Sequence, residues 1–304
     1  MSTPQSTVLP ENMSACIVIE ADVTAGRLAD VAQTCRQLAA LLERHRSRQP
    51  QAHLGLAVGF AAGIWPQLRR NDAEGAEIKP FRPLGNGLAP ATQHDIAIHI
   101  QSQSHGANML LALDVLAAFG DALQVADETH GCRLFEDRGY DGFVDGTENP
   151  TDEQRPRYGV IAAPAADAGG SYLMLQKYRH DLKRWAKLDD AAQSHIIGRN
   201  KADDEELPGE ARLPGTHLAR VDLKENGEGL KIIRQSLPYG TASGEHGLLF
   251  IAYCARLHNI EQQLLSMFGE TDGHTDLLLE HLSTAVSGSY YFVPSEERLA
   301  DLAG

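Results

Sequence analysis

Gly142-Phe143-Val144-Asp145-Gly146-Thr147-Glu148-Asn149-Pro150 reads as a loop of definite shape. Gly142 and Gly146 admit backbone angles closed to other residues, and Pro150 pushes Asn149 out of the helical region. Such a stretch continues neither a helix nor a central strand, so it marks a boundary between structural units. Asp145, between the glycines, has two readings: an Asx-turn bonding its own backbone, or a carboxylate presented for chemistry.

Toward the N-terminus the pattern predicts a buried strand over 15–19. A helix follows in which Leu28, Val31, Ala32, Cys35, Leu38, Ala39 and Leu42 share a face, with Thr24 as its N-cap. Leu54, Leu56, Val58 and Phe60 then alternate as a strand does. The Gly- and Pro-rich segment 63–94 predicts a long loop with one helical piece at 65–68. A strand at Ile96, Ile98 and Ile100, a helix over 109–119 stopped by Gly120, and one or two strands within 122–135 complete a β-α-β-β-α-β order. Beyond the loop the order repeats: strand 172–178, helix 182–197 ending at Gly198, strands 230–236 and 247–255, helix 260–268 stopped by Gly269, and strand 290–293. The predicted class is α+β, with two consecutive ferredoxin-like domains of antiparallel sheet, 1–140 and 141–304. The duplication rests on element order, since the halves show no residue-level repeat.

At 304 residues and 42% hydrophobic content, the chain can bury two cores of ordinary size. No apolar run reaches the length of a membrane span and the start has no signal-peptide pattern, so a cytoplasmic location is expected. A net charge of −14 disfavours a nucleic-acid backbone as partner. Cys16, Cys35, Cys132 and Cys254 lack CxxC and CxxCH spacing, which argues against a zinc site, a disulfide framework or covalent haem attachment.

Among 13 histidines, His217 stands out by following the Pro214-Gly215 pair at the head of an apolar run. A histidine held in this way can offer one neutral nitrogen to a metal while the other bonds a carboxylate, although core or surface placement is the ordinary alternative. Arg234, in Ile232-Ile233-Arg234-Gln235-Ser236-Leu237-Pro238-Tyr239-Gly240, shares a strand face with Ser236. Its permanent charge needs a polar partner, either a structural salt bridge or a reacting anion. Peroxidase chemistry gives a reason to want the three types together. Haem iron takes one axial protein ligand, a base on the open face moves a proton between the oxygens of hydrogen peroxide, and a fixed cation stabilises the charge that develops as the O–O bond breaks.

The segments around Asp145, His217 and Arg234 resemble the dye-decolorising peroxidase family, in particular its short bacterial cytoplasmic branch. The resemblance runs from Leu9 to Pro294 and is strongest over 216–231 and 240–269. It implies non-covalent haem b in the second domain, with His217 as the proximal ligand and Asp145, Arg234 and Ser236 on the distal side. It further implies Asp276 as acceptor for the second nitrogen of His217, Arg199 as partner of a haem propionate, and Glu148 and Asn149 near the haem edge. Leu248 and Phe250, on one strand face, either wall the pocket or fill the core. The function so implied is reduction of hydrogen peroxide with oxidation of dyes, phenols or porphyrinogens through an oxo-ferryl intermediate, in a homo-oligomer. The rivals are iron removal from haem, and haem storage or transport without turnover. Because the chain ends soon after Pro294, the long tail that addresses some relatives to protein nanocompartments is not expected.

Overall fold

Alternating apolar positions become strands. In the computed structural model, which describes residues 2–302, β1 spans Ala15–Val23, β2 Gly55–Phe60, β3 Ile96–Ser102 and β4 Leu123–Cys132. They lie in the order β4-β1-β3-β2, with every pair antiparallel. β5 spans Ser171–His180, and a small hairpin of β6 (Lys224–Glu225) and β7 (Glu228–Gly229) stands apart. β8 (Ile233–Arg234), β9 (Leu237–Gly240), β10 (His246–Cys254), β11 (Ser283–Ala285) and β12 (Ser289–Val293) follow. In this half the order is β12-β5-β10-β9, with β11 continuing the line of β12 beside β5 and β8 that of β9 beside β10.

The class is α+β, as predicted, but the two sheets are not separate sandwiches. Their edges meet at β12–β2 and β4–β9, which closes one antiparallel sheet into a barrel. Each contact has a single Cα pair, Phe60↔Phe292 and Gly131↔Tyr239. Gln5 bridges the first: its amide bonds Val58 through both N–H and C=O and also donates to the carbonyl of Pro294. Closure leaves no long unpaired strand edge between the halves, which would otherwise template association.

Side-chain alternation then sorts the core into two layers. Val18, Leu173, Leu175, Ile251, Tyr253 and Tyr291 fill the barrel. Ile17, Ile98, Met174, Tyr290 and Phe292 point outward, where helices cover them. Helix His105–Phe119 packs on β1 and β3; Ser104 caps it by accepting the Ala107 N–H, and its buried stripe runs through Leu111, Val115 and Phe119. In the second half, helix Leu257–Met267 packs over β5 and β10 and carries helix His217–Val221 on its flank. No helix among the described residues is long and apolar enough to cross a membrane.

Several predicted elements are corrected. Thr24 caps nothing: Gly26 turns the chain at φ +79, the helix starts at Leu28 behind Arg27, and Thr24 Oγ1 has no partner among the described residues. The single helix expected from 28 to 42 is two, Leu28–Cys35 and Leu38–Arg48. The break coincides with an i→i−3 bond from Gln37 N–H to Thr34 O, which tightens the turn there. The helix expected over 182–197 is also divided, into Leu182–Trp185 and Asp190–Ile197, because Asp189 caps a new start through the Ala192 N–H. The strand expected over 230–236 reduces to Ile233–Arg234 and resumes in the same register as Leu237–Gly240. At the interruption the hydroxyl of Ser236, not its backbone, accepts the Ile251 N–H.

Candidate active site

The outward face of β5 and β10 that helices do not cover tightly forms one wall of a large cavity. Tyr178, Leu248 and Phe250 line it from the barrel, Ile232 and Leu264 from the segments beside it, and the whole 143–148 loop closes one side. Its empty volume is ≈1640 Å³, open solvent at the mouth included. Leu248 and Phe250 are only partly buried and abut the helical core as well as the cavity, so they serve both readings given them.

His217 opens the short helix His217–Val221 and faces the cavity. Gly215, two residues before it, lets the chain run tight against 275–277. A Cβ on Gly215 would lie 2.9 Å from the Thr275 carbonyl, and its own carbonyl accepts the Leu277 N–H at 2.8 Å. That approach puts Asp276, fully buried, beside the imidazole, with Oδ2 2.6 Å from His217 Nδ1. The other oxygen, Oδ1, accepts the Leu278 N–H at 2.9 Å and caps the next helix, so the carboxylate cannot turn away. With Nδ1 fixed, Nε2 is the nitrogen left for the cavity.

Opposite chemistry gathers where the cavity adjoins a second, polar cleft. Asp145, Arg234 and Ser236 line both. Burial pushes the Asp145 carboxyl above its ordinary range, against the pull of Arg234 and Arg133. Because its accessible surface opens on these cavities, the push is strongest once a ligand displaces solvent. Arg234 Nε is buried with no hydrogen-bond partner among the described residues. A buried guanidinium N–H without a partner is costly, which is what a site for an anionic or strongly polar ligand looks like before the ligand arrives.

Asn149 does not line the large cavity. Its side-chain amide donates to Arg234 O at 2.8 Å and accepts from Arg234 N at 2.9 Å, acting as a false strand residue that pins the loop to β8. Arg199 and Glu148 do line the cavity, joined at 2.8 Å. Arg199 also meets Glu206 at 3.0 Å, and Lys231 reaches Glu148 at 3.1 Å, which holds the Glu148 carboxyl below its ordinary range. Sequence reasoning missed Lys231, which its place between apolar neighbours in 230–233 could have signalled. It also missed Asp141, directly ahead of the decisive loop: it lines the cavity, and burial lifts its carboxyl to about 6 against a hydrogen bond from Phe143 N–H.

Two family models cover nearly the whole chain: "Dyp-type peroxidase, N-terminal" over residues 5–133 and "Dyp-type peroxidase, C-terminal" over 136–298. The chain belongs to the Dyp-type peroxidase family. Among its relatives, a dye-decolorizing peroxidase of Mycobacterium tuberculosis is 35% identical, over 96% of this chain and 88% of that protein. The one from Brevibacterium linens is 34% identical over 99% and 83%. The structure of a dye-decolorizing protein from V. cholerae superposes with a TM-score of 0.93 at 40% identity, covering 99% of this chain and 100% of that one. A Rhodococcus jostii DypB variant, solved in complex with heme, superposes at a TM-score of 0.92 with 30% identity and 99% coverage of both chains.

Proposed function

We propose that this Dyp-type peroxidase holds haem b in the large cavity with His217 as its axial protein ligand and reduces hydrogen peroxide there while oxidising organic donors. The observation that carries the reading is the pairing of a histidine locked by a buried carboxylate with an arginine whose buried Nε has no partner among the described residues and an aspartate that opens on the same apolar cavity. The residues fit the group. Among the described residues no cluster of three or more His, Cys, Asp or Glu side chains could hold a metal ion, so iron bound through His217 would need its own chelating ring. The cavity supplies the space and apolar walls for one, and Arg199 and Lys231 supply cations for carboxylates at its edge. Its resemblance to a relative solved with heme points the same way.

When bound, haem supplies the capacity to take two electrons' worth of oxidation from peroxide and to return it in single-electron steps to donors. The protein supplies the proton traffic. Asp145, as carboxylate, takes the proton from one peroxide oxygen and returns it to the other, which leaves as water. Arg234 faces the same point with a fixed charge and steadies the negative charge on the departing oxygen. Ser236, on the same face, orients the peroxide by hydrogen bonding. Asp276 keeps the His217 Nδ1 proton in place, which raises the basicity of Nε2.

We further propose that the chain divides near residue 140 into two ferredoxin-like units, supported by the matching strand orders of the halves. The same reading makes the protein a cytoplasmic homo-oligomer, which cell fractionation and sedimentation of the holoprotein check. The main test is the absorption spectrum of the purified holoprotein before and after one equivalent of peroxide. A peroxide-dependent change that organic donors reverse supports turnover. A spectrum indifferent to peroxide supports haem storage, and a metal-free porphyrin product supports iron removal.

Two expected results follow from the site. Asp276→Asn keeps the cap on Leu278 N–H but loses the charge on His217, and haem affinity should fall about 10- to 100-fold, measured by transfer of haem to a scavenger protein. The rate of reaction with peroxide should rise with pH as Asp145 ionises. Since burial raises its pKa, the midpoint of that limb should lie above the ordinary aspartate value of about 3.9. In Asp145→Asn the limb should vanish, and its persistence would assign it to another group.

A further inference from the structure

We propose that Tyr140, Asp141, His180 and His246 form a subsite for phenolic electron donors at the rim of the same cavity, with Asp141 accepting the proton of the donor's hydroxyl. The proposal rests on the peroxidase reading and adds to it the residues that meet a phenolic donor and take its proton.

Tyr140, His180 and His246 come together from two directions, and Asp141, next to Tyr140 in the chain, lines the same cavity. His180 ends β5 and His246 begins β10, and the antiparallel register that pairs Gly247 with Arg179 brings these two strand ends side by side. The Tyr140 ring leans over His246 with centroids 5.6 Å apart and planes at 58°. Tyr140, Asp141 and His180 all line the cavity, as does Gly247 next to His246. The imidazoles are fixed: His246 Nδ1 bonds the Gly244 carbonyl and His180 Nδ1 meets Ser283 Oγ at 3.1 Å. Burial lowers the His180 pKa to about 4, so its ring is neutral and presents an aromatic face and not a charge at pH 7. The rim therefore offers flat rings able to pack against another ring in tilted or offset geometry.

Asp141 is held rigidly in the wall of the cavity. Its carbonyl accepts the Trp185 indole N–H at 3.0 Å and its Oδ1 accepts the Phe143 N–H at 3.0 Å. The second carboxylate oxygen has no hydrogen-bond partner among the described residues. The charges acting on the group are Asp145, which raises its pKa, and His217 and Lys201, which lower it. Lys201 does not pair with Asp141, since its ammonium is taken by Asp190 and Gln193. The peroxide step described above uses neither Tyr140 nor Asp141.

The chemistry wants such a base. A phenol has a pKa of about 10 and is protonated at neutral pH, so its loss of one electron also releases a proton. In the proposed step the phenolic O–H bond breaks, the electron passes to the peroxide-oxidised enzyme, the proton goes to the free oxygen of Asp141, and a neutral phenoxyl radical leaves. Asp141 then returns the proton to water. Its lifted pKa makes it a stronger base than an ordinary aspartate while it stays mostly ionised at pH 7.

The test compares a phenol with ferrocyanide, which gives an electron without a proton, in the haem-loaded protein. In Asp141→Asn, where an amide oxygen still accepts the Phe143 N–H, the ratio of kcat/KM for phenol to that for ferrocyanide should fall at least about tenfold. In Tyr140→Leu, phenol should bind the resting holoprotein several-fold more weakly by titration calorimetry, a readout that needs no turnover. An unchanged ratio in the first variant, or an unchanged phenol affinity in the second, overturns the subsite. Wild-type holoprotein that oxidises neither donor with peroxide overturns the peroxidase reading itself, and this proposal with it.

Discussion

Asp145→Ala and Arg234→Leu are each expected to slow the reaction of the haem-loaded protein with hydrogen peroxide by about a hundredfold or more, as removal of a positioned base or a preorganised charge commonly does. In the proposed peroxide step the two side chains do different work on the same bond. Asp145 moves a proton and so needs a free lone pair, which its place on the wall between two cavities gives it. Arg234 moves nothing and needs only to be fixed, and Asn149 fixes its backbone on both sides. Because both act on one transition state, the double variant should be slower than either single one by less than the product of the two effects. Stopped-flow absorbance at matched haem content measures all three, and wild-type rates in both single variants would remove these residues from the site.

The strands were legible because burial in a closed sheet enforces strict alternation: Ile96, Ile98 and Ile100 face one way and Ala97 and His99 the other, and both sets are buried. Barrel closure was not legible. Each seam has a single Cα pair, and the first is bridged by the side chain of Gln5, a residue in a polar segment with no periodic signal. The helix breaks escaped for a related reason, since apolar spacing from Leu28 to Leu42 records which side is buried and not whether one turn tightens to an i→i−3 bond.

At the site, residues whose local sequence already restricts them were readable: Asp145 between glycines, His217 after Pro-Gly, Arg234 on an apolar strand. Asn149, which the resemblance puts near a haem edge, lines the polar cleft and not the large cavity. The loop instead turns its amide to the backbone of β8, where two unpaired groups of Arg234 needed partners. Asp141 was overlooked because its distinction is environmental. Nothing in a Tyr-Asp-Gly sequence shows that the carboxyl will be desolvated beside another carboxylate.

His217→Ala should abolish stable haem binding, the largest effect expected from any single change at this site. A macrocycle in an apolar cavity gains from burial and from cations at its edge, but those cations are shared here. Arg199 is divided among Glu148, Glu206 and Asp204, and Lys231 between Glu148 and Asp222. In the proposed site a bond from Nε2 to iron would be the directional contact, and the buried Asp276 would support it: with His217 gone, its Oδ2 would be an unpaired carboxylate oxygen in a fully buried residue. Such a group costs several kcal/mol unless it takes up a proton or water enters, so the variant loses the ligand and also unsettles the Gly215–Leu277 contact around it. His217→Ala with Asp276→Asn should relieve that second cost, restoring thermal stability of the haem-free protein without restoring haem. Titration with hemin and a thermal melt of each haem-free variant separate the two effects. Wild-type hemin affinity and an unchanged spectrum in His217→Ala would show that another group reaches the iron.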